Sequence, residues 1–159
     1  MAWQGTSSRR KNRIRVSSYC AGRTMKTALD TSVILDVLTG DARWSEASET
    51  ALKKAQSLGQ LVIGECVLAE ITPALAQNEL GQFLSDWKIL FLPSTRESAI
   101  LAGEMYRTYL HRNRAGKRVL PDFLIGAHAT QQAGRLLARD RGYYRDYFSE
   151  LRVIEPSLR

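Results

Sequence analysis

Four acidic side chains stand at the ends of apolar segments in this 159-residue chain. Asp30 closes Lys-Thr-Ala-Leu, Glu70 lies inside Val-Leu-Ala-Glu-Ile, Asp122 follows Val-Leu-Pro, and Asp140 closes Leu-Leu-Ala-Arg. Such carboxylates are costly to gather. At an effective dielectric of about 20, two of them about 4 Å apart repel by roughly 4 kcal/mol. A fold that collects several therefore needs a proton or a cation to relieve the repulsion. If the four converge, a hard divalent ion with oxygen ligands is the natural guest. Metal-assisted cleavage of a phosphodiester is then the natural chemistry.

Alternating strands and helices are what would have to position these acids. Thr27-Ala28-Leu29 suits a short buried parallel strand. Thr31 or Ser32 can cap the next helix, which Val33, Ile34, Leu35, Val37 and Leu38 line and Gly40 ends. Trp44, Ala47, Ala51, Ala55 and Leu58 follow at helical spacing, stopped by Gly59. Leu61-Val62-Ile63 reads as a second strand, and a helix from Glu65 to about Thr72 carries Val67, Leu68 and Ile71 on one face. Pro73 kinks or ends that helix.

A further helix is expected over roughly 78–87, and a third strand over 89–92. Leu101, Met105 and Tyr109 mark a long helix opening near Thr95, and His111 to Arg118 reads as a basic loop. Pro121 and Asp122 begin another helix, in which Gly126, Ala127 and Ala129 permit close packing on a sheet. Leu136-Leu137-Ala138 and Arg152-Val153-Ile154 complete the strands, with Asp146 and Glu150 in a terminal loop. Strands separated by helices imply an α/β sandwich around a parallel sheet of four to five strands.

In open parallel sheets, sites form beyond the carboxyl ends of the strands. Asp30 and Asp140 sit at such ends. Asp122 falls in the first turn of a helix, where the dipole favours negative charge. Glu70, about a turn and a half into its helix, has the longer side chain needed to reach back. Each acid alone has an ordinary explanation as a cap, turn former or helix-start charge; four at one edge of one sheet do not. Among the other acids, Glu65 is expected to serve a helix dipole, and Asp36 is a candidate supporting group behind the site.

Composition bounds the rest. The charged fraction of 25% and hydrophobic fraction of 44% are those of a soluble globular protein, and the length suits one domain. No apolar run approaches a membrane span. The net charge of +7 is mostly local: six of the 23 Lys and Arg fall in residues 1–24, which contain no acid, leaving 17 against 16 acids in residues 25–159. Residues 1–24 read as a disordered basic extension. A start codon placed too far upstream, a phosphate-binding arm and a transit peptide all fit it. Cys20 and Cys66 have no metal or redox spacing. Cys66 is expected to be a buried small side chain, and the absence of a disulfide framework agrees with a cytoplasmic location.

With these residues in place, Met25-Lys-Thr-Ala-Leu-Asp-Thr-Ser-Val-Ile-Leu resembles the opening strand and helix of PIN-domain ribonucleases. Leu68-Ala69-Glu70-Ile71 resembles their second acidic motif, and Pro121-Asp122-Phe-Leu-Ile-Gly-Ala-His-Ala their third. Leu136-Leu-Ala-Arg-Asp140-Arg-Gly-Tyr-Tyr-Arg-Asp-Tyr-Phe is similar to the C-terminal stretch of VapC-type toxins in type II toxin–antitoxin pairs. The resemblance covers residues 25–156 and implies a PIN-like nuclease domain over 25–159.

It also implies a Mg²⁺- or Mn²⁺-dependent endoribonuclease that works as a homodimer and is silenced by a VapB-like antitoxin. Asp30 and Asp122 would hold the metal most directly, with Glu70 and Asp140 completing the catalytic set. Ser32 would orient Asp30 or a bound water. The 1–24 extension departs from the family pattern, which begins at the first strand.

Arg112, Arg114, Lys117 and Arg118, just before Asp122, are candidate contacts to RNA phosphates; a solvated loop explains them equally well. Tyr143, Tyr144, Tyr147 and Phe148 are expected to pack the terminal segment or form a dimer contact rather than stack on bases. His111 and His128 lack a partner pattern for acid–base work, and Trp44 and Trp87 are expected in the core. An orphan or housekeeping ribonuclease without antitoxin, and a non-catalytic RNA-binding domain, are the alternatives.

Overall fold

The computed structural model describes residues 24–112, 119–139 and 142–158. Residues 1–23 of the expected basic extension lie outside them. Five strands form one all-parallel sheet in the order β3-β2-β1-β4-β5: β1 Lys26–Leu29, β2 Gln60–Ile63, β3 Ile89–Phe91, β4 Arg135–Leu137 and β5 Arg152–Ile154. Thr27 lies opposite Leu61, Ala28 opposite Leu136, Leu61 opposite Ile89, and Leu136 opposite Val153. The central strands are buried on both faces and accordingly read as unbroken apolar runs. β3 is an edge strand, which is why its Leu90 and Phe91 are exposed despite their type.

The connecting helices are α1 (Thr31–Thr39), α2 (Ser45–Leu58), α3 (Glu65–Ile71), α4 (Gln77–Asp86), α5 (Arg96–Arg112), α6 (Leu120–Gln132) and α7 (Tyr143–Tyr147). A single 3₁₀ turn, Thr72–Ala74, follows α3 where Pro73 ends regular hydrogen bonding. α2 packs on β2 and β4, α6 on β1, β4 and α5. The result is an α/β/α sandwich.

Local sequence accounts for most element ends. Gly40 closes α1 in the left-handed region at φ 63°, a conformation that costs glycine nothing. Four details differ from the sequence reading. The cap of α1 is Asp30 itself, whose carboxylate accepts the Ser32 N–H at 3.1 Å. The buried stripe of α2 is Ser48, Leu52 and Ala55, while Leu58 is exposed, because the helix is rotated from the face that the alanines suggested. Trp44 is not a core residue; its ring lies between the Arg43 and Arg139 guanidinium groups, 5.3 and 5.2 Å from the centroid. Residues 143–147 form a helix rather than a loop.

α7 is short, and tertiary packing holds it. Tyr143, Tyr147 and Phe148 surround the fully buried Phe123 with Tyr106 and Tyr109, at ring-centroid separations of 5.1 to 6.3 Å. Tilted and edge-on geometries of this kind suit the aromatic quadrupole. The expected packing role of these aromatics is what the structure shows. Gly126 of α6 allows it: a Cβ there would stand 2.4 Å from Cε2 of Phe148.

Candidate active site

The chain runs from β1 outward through β2 and β3, then crosses back to β4 and β5 on the other side. The order therefore reverses between β1 and β4, and ligands of open α/β sheets bind beyond the strand ends at such a point. Asp30 follows β1 immediately, and its N–H donates to the Leu137 carbonyl at the end of β4, at 3.0 Å. A cleft of about 590 Å³ opens here, lined by Asp30, Thr31, Ser32, Glu70, Asp122 and Arg139. Tyr143 and Tyr144 of α7 and Val119, Pro121 and Ile125 form the rest of its wall, with Leu35.

Asp30 is 7% exposed, and hydrogen-bond donors hold its carboxylate. Ser32 donates from its backbone N–H and from its hydroxyl to Oδ2, and the buried Tyr144 hydroxyl donates to Oδ1 at 2.7 Å. Oδ2 thus accepts twice, and Oδ1, which accepts once, keeps a lone pair for a ligand. Glu70 is exposed on α3 and accepts a hydrogen bond from the Thr31 hydroxyl, which ties it to the residue beside Asp30. Asp122 sits half-buried in the first turn of α6, after Pro121.

The charge gathered here is felt by Cys66. Its thiol is half-buried, 4.0 Å from the Pro121 carbonyl, and its pKa is pushed up to about 11. Burial is the main cause, followed by the negative charges of Glu70, Asp122, Glu65 and Asp30. Cys66 is thus less enclosed than expected, and protonated rather than reactive.

Behind the acids stands a second polar group. Asp36, 2% exposed, accepts from the Ser48 hydroxyl at 2.7 Å and pairs with Nη2 of Arg139 at 3.0 Å. The Arg139 backbone N–H donates to the Ser32 hydroxyl at 3.3 Å, joining this pair to the Asp30 network. Asp36 is thus linked through Arg139 to the Asp30 network.

Three of the four expected acids, Asp30, Glu70 and Asp122, therefore line one cleft, with Ser32 on Asp30 as expected. Asp140, Arg114, Lys117 and Arg118 lie outside the described residues. Arg112 ends α5, with its guanidinium 5.4 Å from the Tyr147 ring centre. His128 is buried and bonds the Leu92 carbonyl through Nε2 at 2.7 Å, a structural role. Sequence reasoning missed Tyr144, Arg139 and the Thr31–Glu70 contact. Only Arg139, beside Asp140, carried any signal.

Among the described residues, no three His, Cys, Asp or Glu side chains stand close enough together to hold an ion. The donor set nevertheless suits a hard cation. It is all carboxylate oxygen, it is pre-oriented by hydroxyl donors, and its negative charge is concentrated enough to shift a neighbouring thiol.

The fold has known counterparts. A chain of VapBC2 from Rickettsia felis, solved bound to a promoter DNA fragment, superposes with a TM-score of 0.64 at 19% identity, over 84% of this chain and all of that one. A chain of DNA-bound VapBC from Salmonella typhimurium gives 0.62 at 16% identity, over 84% and 99%. One from the FitAcB structure of Neisseria gonorrhoeae gives 0.57 at 21%, over 82% and 97%. No curated protein sequence matches closely enough to count as a relative. The PIN domain model matches residues 27–148, which span β1 through α7 and every described acid of the cleft. The chain belongs to the PIN domain family.

Proposed function

We propose that this chain is the toxin of a type II toxin–antitoxin system, an endoribonuclease that hydrolyses RNA phosphodiester bonds with Mg²⁺ or Mn²⁺. One observation carries the reading: Asp30, Glu70 and Asp122 line a single cleft at the strand-order reversal of a PIN fold. Asp30 and Asp122 hold the ion most directly, and Glu70 and Asp140 complete the set. When bound, the ion supplies an acidified water and screens the phosphate's charge. Ser32 and Tyr144 keep the Asp30 carboxylate fixed against the cleft, so it need not reorganise when substrate arrives. Thr31 restrains Glu70 in the same way.

The partners follow from the same reading. The similar folds come from structures titled VapBC and FitAB, several of them bound to DNA. This supports a cognate VapB-like antitoxin for this chain; that the toxin is a homodimer belongs to the same proposal. No described helix is long and apolar enough to cross a membrane. The test is growth arrest on induced expression. Asp122→Asn should relieve it, since an amide is a poorer ligand for a hard cation than a carboxylate. Undiminished toxicity would rule out the proposed chemistry.

A further inference from the structure

Arg139 is the only cation among the described residues that line the cleft. Its guanidinium is fixed on two sides. Nη2 pairs with the buried Asp36 at 3.0 Å, and the plane lies over Trp44, 5.2 Å from the ring centre. Asp36 is in turn held by Ser48, so the tether is itself rigid. Yet little of the donor capacity is used. Guanidinium offers five N–H groups; Asp36 takes one at Nη2, Nε is buried, and the remaining Nη donors are left for a ligand. The side chain remains 31% exposed, and Arg139 lines the cleft with Asp30, Glu70 and Asp122.

A site built from carboxylates repels the phosphodiester it must bind, and an ion held between them offers charge without a fixed orientation. A planar, rigidly tethered guanidinium supplies orientation, because its fork matches phosphate oxygens two at a time. Among the described residues, Asp36 and Asp41 are acids whose charge acts on Arg139. Asp36 pairs with Nη2 alone, and Asp41 accepts the N–H groups of Arg43 and Trp44.

From this geometry we infer that Arg139 is a substrate-binding residue: it docks a phosphate of single-stranded RNA beside the acidic cluster, with Asp36 and Trp44 as its positioning residues. The assignment rests on the ribonuclease reading above. It makes Arg139, rather than surface charge, the group that sets the register of the backbone across the acids.

The experiment uses the full chain. Arg139→Gln alone would leave Asp36 buried without a counter-charge, so the informative variant is Arg139→Gln with Asp36→Asn, which removes both charges together and keeps a hydrogen bond possible. Two readouts are taken with Mn²⁺: cleavage of a mixed-sequence fluorogenic single-stranded RNA, and the salt dependence of binding to the same sequence in 2′-O-methyl form. Manganese affinity, followed by electron paramagnetic resonance, and the circular dichroism spectrum serve as controls. Loss of one phosphate contact lowers the slope of log K against log salt by about 0.7. The expected result is that decrease, with kcat/KM at least tenfold lower and manganese affinity unchanged. Arg139→Lys, which keeps the charge but not the fork, should restore the slope and only part of kcat/KM. A double variant that binds RNA with the parent's slope overturns the assignment while leaving the nuclease reading intact. A parent chain that neither binds nor cleaves RNA overturns both.

Discussion

The hydroxyl of Tyr144 donates to Oδ1 of Asp30 at 2.7 Å, although 114 positions separate the two residues in the chain. This bond fastens α7 to the end of β1 and fixes the most buried acid of the cleft. It also explains why the aromatic segment after β4 packs inward: Tyr144 cannot reach Asp30 unless its neighbours Tyr143, Tyr147 and Phe148 settle around Phe123.

Tyr144→Phe keeps that packing and deletes one donor. A hydrogen bond to a charged group contributes about 1.5–3 kcal/mol, so urea unfolding should show a loss in that range. Metal affinity should change too, because Asp30 is then freer to turn. An unaltered unfolding midpoint would mean that the hydroxyl is solvated rather than bonded.

The close approach of α6 and Phe148 gives a paired test. Gly126→Ala places a methyl group into the Phe148 ring and should cost about 1–3 kcal/mol. Gly103→Ala, on exposed α5 with open space at the added carbon, should instead stabilise by about 0.5–1 kcal/mol. Opposite signs in the two denaturation midpoints are the expected outcome.

Cys66 reports on the cleft without any substrate. With its pKa pushed up to about 11, alkylation at neutral pH should be roughly a hundredfold slower than for a thiol with the ordinary value. Asp122→Asn removes one of the repelling charges and should speed it. Iodoacetamide labelling at Cys66, followed by peptide mass spectrometry, reads both effects.

Burial lowers the pKa of His128, against the opposing pull of the Leu92 carbonyl and Glu65. The unfolded chain therefore binds this proton more readily than the folded one. The stabilisation is present above the ordinary histidine pKa near 6.5 and is lost as pH falls below it. Unfolding at pH 7.5 and 5.5 should show the decline, and His128→Gln should flatten it.

Much of this architecture was legible in the sequence because it depends on local patterns. The buried strands are continuous apolar runs, Gly40 and Gly59 stop the helices they follow, and Asp30, Glu70 and Asp122 fall at element ends that the parallel topology brings together. What was hidden depends on tertiary contact. α7 spans only five residues and has no apolar periodicity to mark it, since aromatic packing rather than propensity holds it. For the same reason nothing in Gly142-Tyr143-Tyr144 announced a hydroxyl aimed at Asp30. Asp36 was a candidate supporting group, but its pairing with Arg139, 103 positions away, shows only once their elements meet. Trp44 was misjudged because aromatic type suggests core, whereas here the ring serves as a platform for two guanidinium groups.

The proposed function requires the carboxylates of this cleft to hydrolyse RNA with a divalent ion. Its most direct test is incubation of the purified full chain with total RNA in Mg²⁺, in Mn²⁺ or in chelator, with mapping of the cut ends, beside Asp30→Asn and Asp122→Asn. Discrete cuts that need the ion and disappear in both variants are predicted. Cleavage that persists in chelator, or survives both substitutions, would mean that this cleft is not the site of a metal-dependent hydrolysis.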